Sequence, residues 1–170
     1  RINKMMKNMT KNNVIVVGGG MVGAAMAIKL AQQGKSVRII EKHLIDPPHV
    51  LSNDNVDIRV SAINRFSEKL LDGLGAMPIL RNGRIAPYQQ LEAFERGDDK
   101  LLFDCADINT THLGHLIENS LIQASLWMQF EQYDIEVIEQ KQIVSKIEQN
   151  ADSITLVYGE QRYTAGLVVA

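Results

Sequence analysis

The chain has 170 residues, 45% of them hydrophobic, which is enough to bury an ordinary globular core of about one domain. Its 18 basic and 20 acidic residues give a net charge of -2, so the composition does not favour binding to nucleic acid. The single cysteine, Cys105, excludes an internal disulfide and is typical of a reducing compartment, so we expect a cytoplasmic protein.

The two ends of the chain carry signals of their own. Residues 1–12 are basic and rich in asparagine, without a clean helical stripe, and we predict a disordered tail there. Residues 167–170 are apolar, and we expect the chain to be the N-terminal portion of a longer protein. No apolar run approaches the roughly 20 residues that span a bilayer, so membrane contact would be peripheral, at the inner face.

The first two strands of the predicted parallel sheet lie close together in the sequence. Residues 14–17 form a β-branched run without polar alternation, typical of a strand buried on both faces, and residues 36–41 predict the next strand. Between them, residues 21–33 predict a helix that Gly34 terminates. We expect the apolar face of this helix to consist of Val22, Ala25, Met26 and Leu30.

The middle of the chain is less regular. The Pro47-Pro48 pair and the Asn/Asp clusters predict a long loop over residues 43–57. Apolar spacing predicts a helix over residues 63–74. Alternation over residues 89–95 predicts a strand, with an antiparallel partner at residues 100–103.

Two further patterns complete the chain. Residues 112–130 carry apolar side chains at helical spacing and predict a second long helix. Four short strand candidates follow, at residues 135–138, 143–149, 153–158 and 162–169. We expect the last three to form a β-meander packed on the parallel sheet.

The turn between the first strand and the first helix carries the sequence Gly18-Gly19-Gly20-Met21-Val22-Gly23, which fits the pattern Gly-x-Gly-x-x-Gly. The pattern alone is weak, but its position between strand and helix predicts a dinucleotide site. Gly18 would permit the tight turn, Gly20 would let a pyrophosphate approach, and Gly23 would allow close packing of the helix. The free amides at Met21 and Val22 would face the phosphates.

Glu41 ends the second strand roughly 20 residues beyond the glycines, where the dinucleotide fingerprint places an acid that binds an adenosine ribose. A carboxylate there would repel a 2'-phosphate and disfavours NADP, although Arg38 and Lys42 beside it weaken that inference. Lys42 is a further candidate cofactor-binding residue. The alternative interpretation is a glycine-rich turn beside a glutamate that faces solvent, and the fingerprint does not choose between FAD and NAD.

Longer blocks are more specific. They are residues 14–25, Arg-Val-Ser-Ala-Ile-Asn at 59–64, Ser-Glu-Lys-Leu-Leu at 67–71, and His-Leu-Gly-His-Leu-Ile-Glu-Asn-Ser-Leu-Ile-Gln-Ala-Ser-Leu-Trp at 112–127. In this order and spacing the chain resembles the FAD-dependent aromatic hydroxylases of ubiquinone biosynthesis, of the 2-octaprenylphenol and demethoxyubiquinol hydroxylase type. The resemblance covers about residues 13–130.

The resemblance implies an α/β fold: a Rossmann-like FAD-binding domain of the glutathione-reductase type, with a parallel sheet and a β-meander. Residues 13–170 would be the N-terminal portion of that domain, and residues 76–110 would contribute to an antiparallel substrate-domain sheet. It also implies FAD as the bound cofactor, NAD(P)H as a transient reductant, O2, and a prenylated phenol as substrate. A flavin hydroperoxide would oxygenate the ring, so we predict no catalytic residue in this stretch.

By the same resemblance, Arg59 and Ser61 lie on a loop that approaches the flavin and the pyrophosphate, and Asn119 and Gln123 lie where the second helix contacts the cofactor. Many proteins of the wider aromatic-hydroxylase superfamily have arginine where this chain has Asn119. The family's Asp-Gly and Gly-Asp motifs would follow Ala170, so we expect this chain alone to hold FAD weakly and to be inactive.

Two other function classes stay open. An NAD-dependent dehydrogenase would need a further parallel strand soon after Glu41, where the chain instead has a proline-containing stretch. The second alternative is a non-catalytic interaction module within an assembly of biosynthetic enzymes. The sequence also leaves open whether the protein forms a homo-oligomer.

For several polar, aromatic or reactive side chains, we favour a structural or incidental interpretation over a functional one. His112, His115 and Glu118 fall at i, i+3 and i+6 of the predicted helix and would diverge around it, so we predict no metal site. Cys105 is interpreted as a structural or incidental thiol. We expect an aromatic core stripe of Trp127, Phe130 and Tyr133. We interpret Arg81, Arg84 and Arg96 as a solvated face, with an anionic membrane surface as the alternative.

Overall fold

A four-stranded parallel sheet lies at the centre of the computed structural model, which describes residues 13–94 and 100–170. Its strands are β1 (Asn13–Val17), β2 (Ser36–Glu41), β8 (Glu136–Glu139) and β12 (Leu167–Val169). Their order is β12–β1–β2–β8, with every neighbouring pair parallel. The predicted strands at residues 14–17, 36–41 and 135–138 are confirmed.

The other strands form antiparallel sheets. They are β3 (Val60–Asn64), β4 (Ile85–Tyr88), β5 (Gln90–Phe94), β6 (Lys100–Asp104), β7 (Gly114–Glu118), β9 (Lys146–Gln149), β10 (Ile154–Tyr158) and β11 (Gln161–Ala165). One sheet has the order β3–β7–β4, and β9–β10–β11 form the predicted meander. β5 and β6 form the predicted hairpin, whose connecting residues 95–99 lie outside the described part, as does the predicted tail.

Five α-helices occur within the described residues: α1 (Met21–Gln32), α2 (Pro47–Ser52), α3 (Arg65–Gly73), α4 (Met77–Arg81) and α5 (Asn119–Trp127). Short 3-10 turns cover Cys105–Ile108 and Glu131–Tyr133. None of these helices combines the length and the apolar character needed to cross a bilayer.

Alternating side chains of the parallel sheet separate two hydrophobic cores. Val14 and Val16 face the larger core, where they meet Ile28 of α1 and Leu126 of α5. Ile15 faces the smaller core, which the sheet shares with the meander residues Leu156, Tyr158 and Ala165. The fold therefore has three layers: helices, parallel sheet and meander.

The predicted buried face of α1 is wrong for Val22 and Met26, whereas Ala25 and Leu30 are partly buried against the larger core. Val22 and Met26 are 80% and 42% exposed, whereas Ala24, Ala27 and Ile28 are buried. Small residues face the sheet because α1 packs closely against β1. Val22, Ala25 and Met26 line a cavity of about 380 Å³ between α1 and α3.

The predicted helix over residues 112–130 is also wrong in its first half. Residues Gly114–Glu118 are the central strand β7, and the helix begins only at Asn119. Pairing with β3 on one side and β4 on the other satisfies the backbone of β7 and outweighs its helical apolar spacing. The aromatic part of the prediction holds, since Trp127 and Phe130 are buried with ring centroids 5.4 Å apart.

Three further boundaries differ from prediction. The predicted loop over 43–57 contains α2, which Asp46 caps by accepting a hydrogen bond from the amide of His49 at 3.3 Å. The predicted helix over 63–74 begins only at Arg65, because β3 continues to Asn64. The strand predicted over 162–169 divides into β11 of the meander and β12 of the parallel sheet.

Candidate cofactor site

The glycine turn between β1 and α1 is fixed by backbone geometry. Gly18 has a φ of +98°, which side chains with a Cβ rarely adopt, and its amide donates to the carbonyl of Ile40 at 2.8 Å. A Cβ on Gly23 would overlap the carbonyl oxygen of Gly18. Two predicted glycine roles, the tight turn and the close packing of the helix, therefore have direct steric causes here.

The N-terminus of α1 has the features of an anion site. The first intrahelical bond runs from the Ala24 amide to the Gly20 carbonyl at 2.8 Å, so the amides of Met21, Val22 and Gly23 precede the hydrogen-bond ladder. No side chain caps this end, and a Cβ on Gly20 would meet no protein atom within 4 Å. Free amides, open space and the positive end of the helix dipole all fit a phosphate.

Glu41 lies against the glycine turn. One carboxylate oxygen accepts from the amide of Gly19, and the other accepts from the amides of Lys42 and His43 at 2.7 and 3.1 Å. A carboxylate has about four acceptor positions, so room is left for a hydroxyl of a ligand. Glu41 thus both anchors the turn and can serve as an acceptor beside it.

A cleft of about 280 Å³ opens past the carboxyl ends of β1 and β2. Gly18, Glu41 and Lys42 line one side, and Lys141 and Val144 belong to the other. The carboxyl ends of parallel strands are where α/β sheets bind ligands. Lys42 is exposed, and this cleft is where the structure places it.

Helix α5 holds the opposite side of the glycine turn. The Gln123 side-chain amide donates to the Gly19 carbonyl at 2.9 Å, and the Trp127 indole N–H donates to the same oxygen at 2.7 Å. Trp127 was predicted only as a core residue, so its contact with the turn is new. The signal was available, because residues 119, 123 and 127 recur every four positions and share one helix face.

Arg59, Ser61 and Asn119 form a second group at the first turn of α5. The Ser61 hydroxyl donates to the Asn119 side-chain oxygen at 2.6 Å, and the backbone amide of Asn119 donates to the backbone carbonyl of Arg59 at 2.9 Å. The Arg59 side chain is 79% exposed and lies 3.8 Å from Asp57. Because Asn119 and Gln123 are one helical turn apart, about 6 Å along the axis, α5 connects this group to the glycine turn.

An ion pair that the sequence did not predict anchors the loop before Arg59. Glu118 is buried, and its two oxygens accept from Arg84 Nε and Nη2 at 2.8 and 3.2 Å. Arg84 also donates to the carbonyls of Asn53 and Asn55, and Glu118 accepts from the amide of Asp57 at 2.8 Å. We call this arrangement the Arg84–Glu118 clamp.

The clamp corrects the interpretation of Arg84 as part of a solvated face. Hydrogen bonds from Arg84 lower the pKa of the Glu118 carboxyl below its ordinary value; burial opposes this effect, and the Asp57 amide reinforces it. Arg81 pairs with Asp72 at 3.0 Å on the surface, and Arg96 lies outside the described residues. Arg84 is therefore a structural partner of Glu118, not a free surface charge.

Comparisons with known proteins found a matching family model and similar proteins. The model of the family described as FAD dependent oxidoreductase matches residues 13–47, which contain the glycine turn and Glu41. The chain is 38% identical over 118 residues to 3-demethoxyubiquinol 3-hydroxylase of Escherichia coli, covering 69% of this chain and 30% of that protein. It is 33% identical over 128 residues to the mitochondrial ubiquinone biosynthesis monooxygenase COQ6 of Danio rerio, covering 70% of this chain and 25% of that protein.

Among solved structures, p-nitrophenol 4-monooxygenase PnpA of Pseudomonas putida matches with a TM-score of 0.66 and 21% identity, over 91% of this chain and 39% of that one. This likeness confirms the Rossmann-like fold. The chain spans less than a third of the length of the two relatives described above. FAD is the cofactor that the family match supports. The chain thus carries an FAD-dependent oxidoreductase domain and is homologous, over most of its own length, to hydroxylases of ubiquinone biosynthesis.

Proposed function

We propose that the full-length protein is a flavin monooxygenase that hydroxylates the aromatic ring of a polyprenylphenol during ubiquinone synthesis. The names of the relatives support the reaction class, and the uncapped N-terminus of α1 beside Glu41 is the observation that carries the cofactor assignment.

In this proposal the pyrophosphate of FAD lies over Gly20, where the amides of Met21, Val22 and Gly23 donate to it. The adenosine ribose binds Glu41, which has acceptor capacity beyond its three backbone bonds. The adenine end extends into the cleft beside Lys42. Since a carboxylate at Glu41 would repel a 2'-phosphate, an unphosphorylated ribose suits this end of the site.

The flavin half of the cofactor is assigned to the other side of α5. Ser61 and Asn119 lie one helical turn from the glycine contact of Gln123, which is a short step for a molecule as long as FAD. Arg59 offers an exposed positive charge at the same place, held by the Arg84–Glu118 clamp through the loop that precedes it. These residues would bind and orient the cofactor.

The chemistry of the reaction belongs to FAD, which, when reduced by NAD(P)H, activates O2 so that one oxygen atom enters the phenol ring and the other leaves as water. We further propose that residues 76–110 contribute to the substrate domain. The β5–β6 hairpin supports this, since it exposes the apolar side chains Leu91, Phe94, Leu101, Leu102 and Phe103. An apolar prenyl chain and a peripheral contact with the membrane that dissolves it both suit such a surface.

A dehydrogenase is disfavoured by the topology. It would continue from β2 through another helix into an adjacent parallel strand, but the next strand, β3, belongs to an antiparallel sheet. Within the described residues, the outer neighbour of β2 is β8, which begins only at Glu136. The chain leaves the parallel sheet after Glu41.

The test is flavin retention followed by turnover of the full-length protein. We expect the purified protein to show the visible absorption of oxidised flavin. With NAD(P)H and a prenylphenol it should consume O2 and yield a product that has gained one oxygen atom. A protein that never retains flavin contradicts the cofactor assignment, and a flavoprotein that gives no hydroxylated product favours the non-catalytic alternative.

A matched pair of substitutions tests the site itself. Glu41→Gln removes the charge from the hydrogen bonds to FAD, which should weaken FAD binding by about 10-fold, equivalent to about 1.4 kcal/mol. Glu136→Gln removes an exposed glutamate from the neighbouring strand β8 and should leave FAD affinity unchanged. Equal affinities in the two variants would contradict the role of Glu41.

A further inference from the structure

Glu68, His112 and His115 bring three potential metal-ligand atoms together, and we call them the Glu–His–His cluster. His115 Nδ1 lies 2.5 Å from Glu68 Oε1, and His112 Nε2 lies 3.2 Å from Glu68 Oε2. The two imidazole rings are edge to face, with centroids 4.6 Å apart. All three ligand atoms lie within 4.8 Å of one another.

The cluster exists because residues 112–118 are not helical. His112 precedes β7 and His115 lies within it, paired in register with Ile63 and Pro87. A Cβ on Gly114 would overlap the carbonyl of Ile63, so the glycine allows β7 to approach β3 closely. That approach brings both histidines to Glu68 on α3, whereas Glu118, the third residue of the i, i+3, i+6 series, belongs to the clamp.

We propose that the Glu–His–His cluster binds a divalent transition-metal ion, Zn2+ in particular, through His112 Nε2, His115 Nδ1 and a Glu68 oxygen. Zn2+ bonds to imidazole nitrogen and carboxylate oxygen are about 2.0 to 2.2 Å long, which puts tetrahedral ligand atoms about 3.4 Å apart. The observed separations reach this value with side-chain shifts of about 1 Å. Water would complete the coordination sphere.

The surroundings suit a metal. Thr111 Oγ1 lies 2.9 Å from His112 Nδ1 and can accept a hydrogen bond from Nδ1–H, the tautomer that leaves Nε2 free as a ligand. Such an outer hydrogen bond orients metal-binding histidines. The side chains of His112, His115 and Glu68 are 21%, 16% and 13% exposed, so an ion and a water molecule can enter. Two nitrogens with one carboxylate select Zn2+ and its neighbours over Mg2+ or Ca2+, which prefer oxygen ligands.

Glu68 carries a negative charge at neutral pH. Burial raises the pKa of its carboxyl, but hydrogen bonds from His115 and His112 outweigh burial and hold the pKa below its ordinary value. A ligand set with one carboxylate and two neutral imidazoles leaves a Zn2+ complex with a single positive charge. The competing explanation is a carboxylate that ties His112 and His115 to α3 without any ion.

The experiment is isothermal titration of the metal-free, full-length protein with ZnCl2. We expect one Zn2+ per chain, with binding at least about 10-fold weaker in His115→Ala and in Glu68→Gln, and a smaller loss, up to about 10-fold, in Thr111→Ala. His49→Ala is the matched control, because His49 is an exposed histidine whose amide contact with Asp46 survives the change. It should bind Zn2+ as the unsubstituted protein does.

Co2+ gives an independent measurement, because its visible spectrum reports coordination by nitrogen and the geometry around the ion. We expect a tetrahedral spectrum in the unsubstituted protein and in His49→Ala, and its loss in His115→Ala. Far-UV circular dichroism and flavin content establish that His115→Ala is folded, and they separate this proposal from the FAD assignment. Zn2+ binding that is absent, or that is equal in His115→Ala and His49→Ala, overturns the proposal.

Discussion

The glycine turn and the Arg84–Glu118 clamp hold two adjacent parts of the candidate site by different forces. The turn is fixed by steric fit and backbone hydrogen bonds: Gly23 touches Gly18, and Gly18 bonds to Ile40. The clamp is fixed by a buried charge, Glu118, and a half-buried guanidinium that joins β7 to the loop before Arg59. The turn should therefore depend on side-chain size, and the clamp on charge and pH.

The difference has a consequence for cofactor binding. A turn held by backbone contacts keeps its free amides in place whether or not FAD is bound, because those contacts require no ligand. The clamp positions Arg59 only while Glu118 is ionised, since a protonated carboxyl accepts weaker hydrogen bonds from Arg84. Substitutions at the two places should separate steric from electrostatic control.

The largest effect is expected at the turn. Gly23→Ala places a Cβ on the Gly18 carbonyl and should lower the free energy of unfolding by about 3 kcal/mol or more, the upper end for overpacking. Urea denaturation measures it. Gly20→Ala is the control, because its Cβ meets no protein atom: stability should change little, while FAD affinity falls since the Cβ occupies the phosphate space.

Each outcome bears on a different claim. A stable Gly23→Ala protein would mean that the turn relaxes easily and is not sterically fixed. Unchanged FAD affinity in Gly20→Ala would place the pyrophosphate elsewhere, even if the turn is rigid.

The same contrast explains what the sequence could predict. The turn, α1 and both flanking strands lie within residues 13–41, and their signals, a β-branched run, spaced glycines and a terminal acid, are all local. The helix Asn119–Trp127 with Gln123 was partly predictable, since the resemblance placed it against the cofactor. The four-residue spacing already placed Trp127 on the helix face of Gln123, but its hydrogen bond to the Gly19 carbonyl needed the packed structure, because the two residues are far apart in the chain.

The clamp and the Glu–His–His cluster were beyond local patterns. β7 pairs with β3 and β4, both distant in sequence, and its apolar residues happen to fit helical spacing as well. Gly114 was the available warning, because glycine inside a helix costs about 1 kcal/mol relative to alanine. The segment at Pro47 shows the opposite error, since we predicted a loop where the structure has a helix. Aspartate followed by proline is typical of a helix start, and α2 begins there.

The next largest effect is expected at the clamp. Glu118→Gln leaves Arg84 with weaker hydrogen bonds and should lower the free energy of unfolding by about 2 to 3 kcal/mol, below the usual cost of breaking a buried pair because Arg84 is half exposed. Asp72→Asn breaks the exposed pair with Arg81 and should cost less than about 0.5 kcal/mol. Equal losses of stability in the two variants would mean that burial of Glu118 does not strengthen its ion pair with Arg84.

A smaller effect should appear on titration. The folded-state pKa of Glu118 lies below the ordinary 4.5, so its contribution to stability is fully present above that pH and is lost as pH falls through the folded value. The stability difference between the unsubstituted protein and Glu118→Gln should shrink over that acid range. Because the pKa values of Glu68 and Asp57 are also lowered, some acid sensitivity should persist in the variant. A difference that stays constant with pH would show that the charge of Glu118 is not what holds the loop.

The smallest effect is expected where the two regions meet, at the hydrogen bond from Ser61 to Asn119. A double-mutant cycle with Ser61→Ala and Asn119→Ala should give a coupling of about 1 kcal/mol in the free energy of unfolding, typical of a partly buried neutral bond. Ser153→Ala, which removes a hydroxyl bonded to exposed Asn150, should cost less than about 0.5 kcal/mol. If the cycle shows no coupling while FAD affinity still falls in Asn119→Ala, Asn119 acts on the cofactor directly and Ser61 does not orient it. If the cycle shows coupling and FAD affinity falls in both Ser61→Ala and Asn119→Ala, the bond positions Asn119 for the cofactor. Helix α5 then links the position of β3 to the glycine turn.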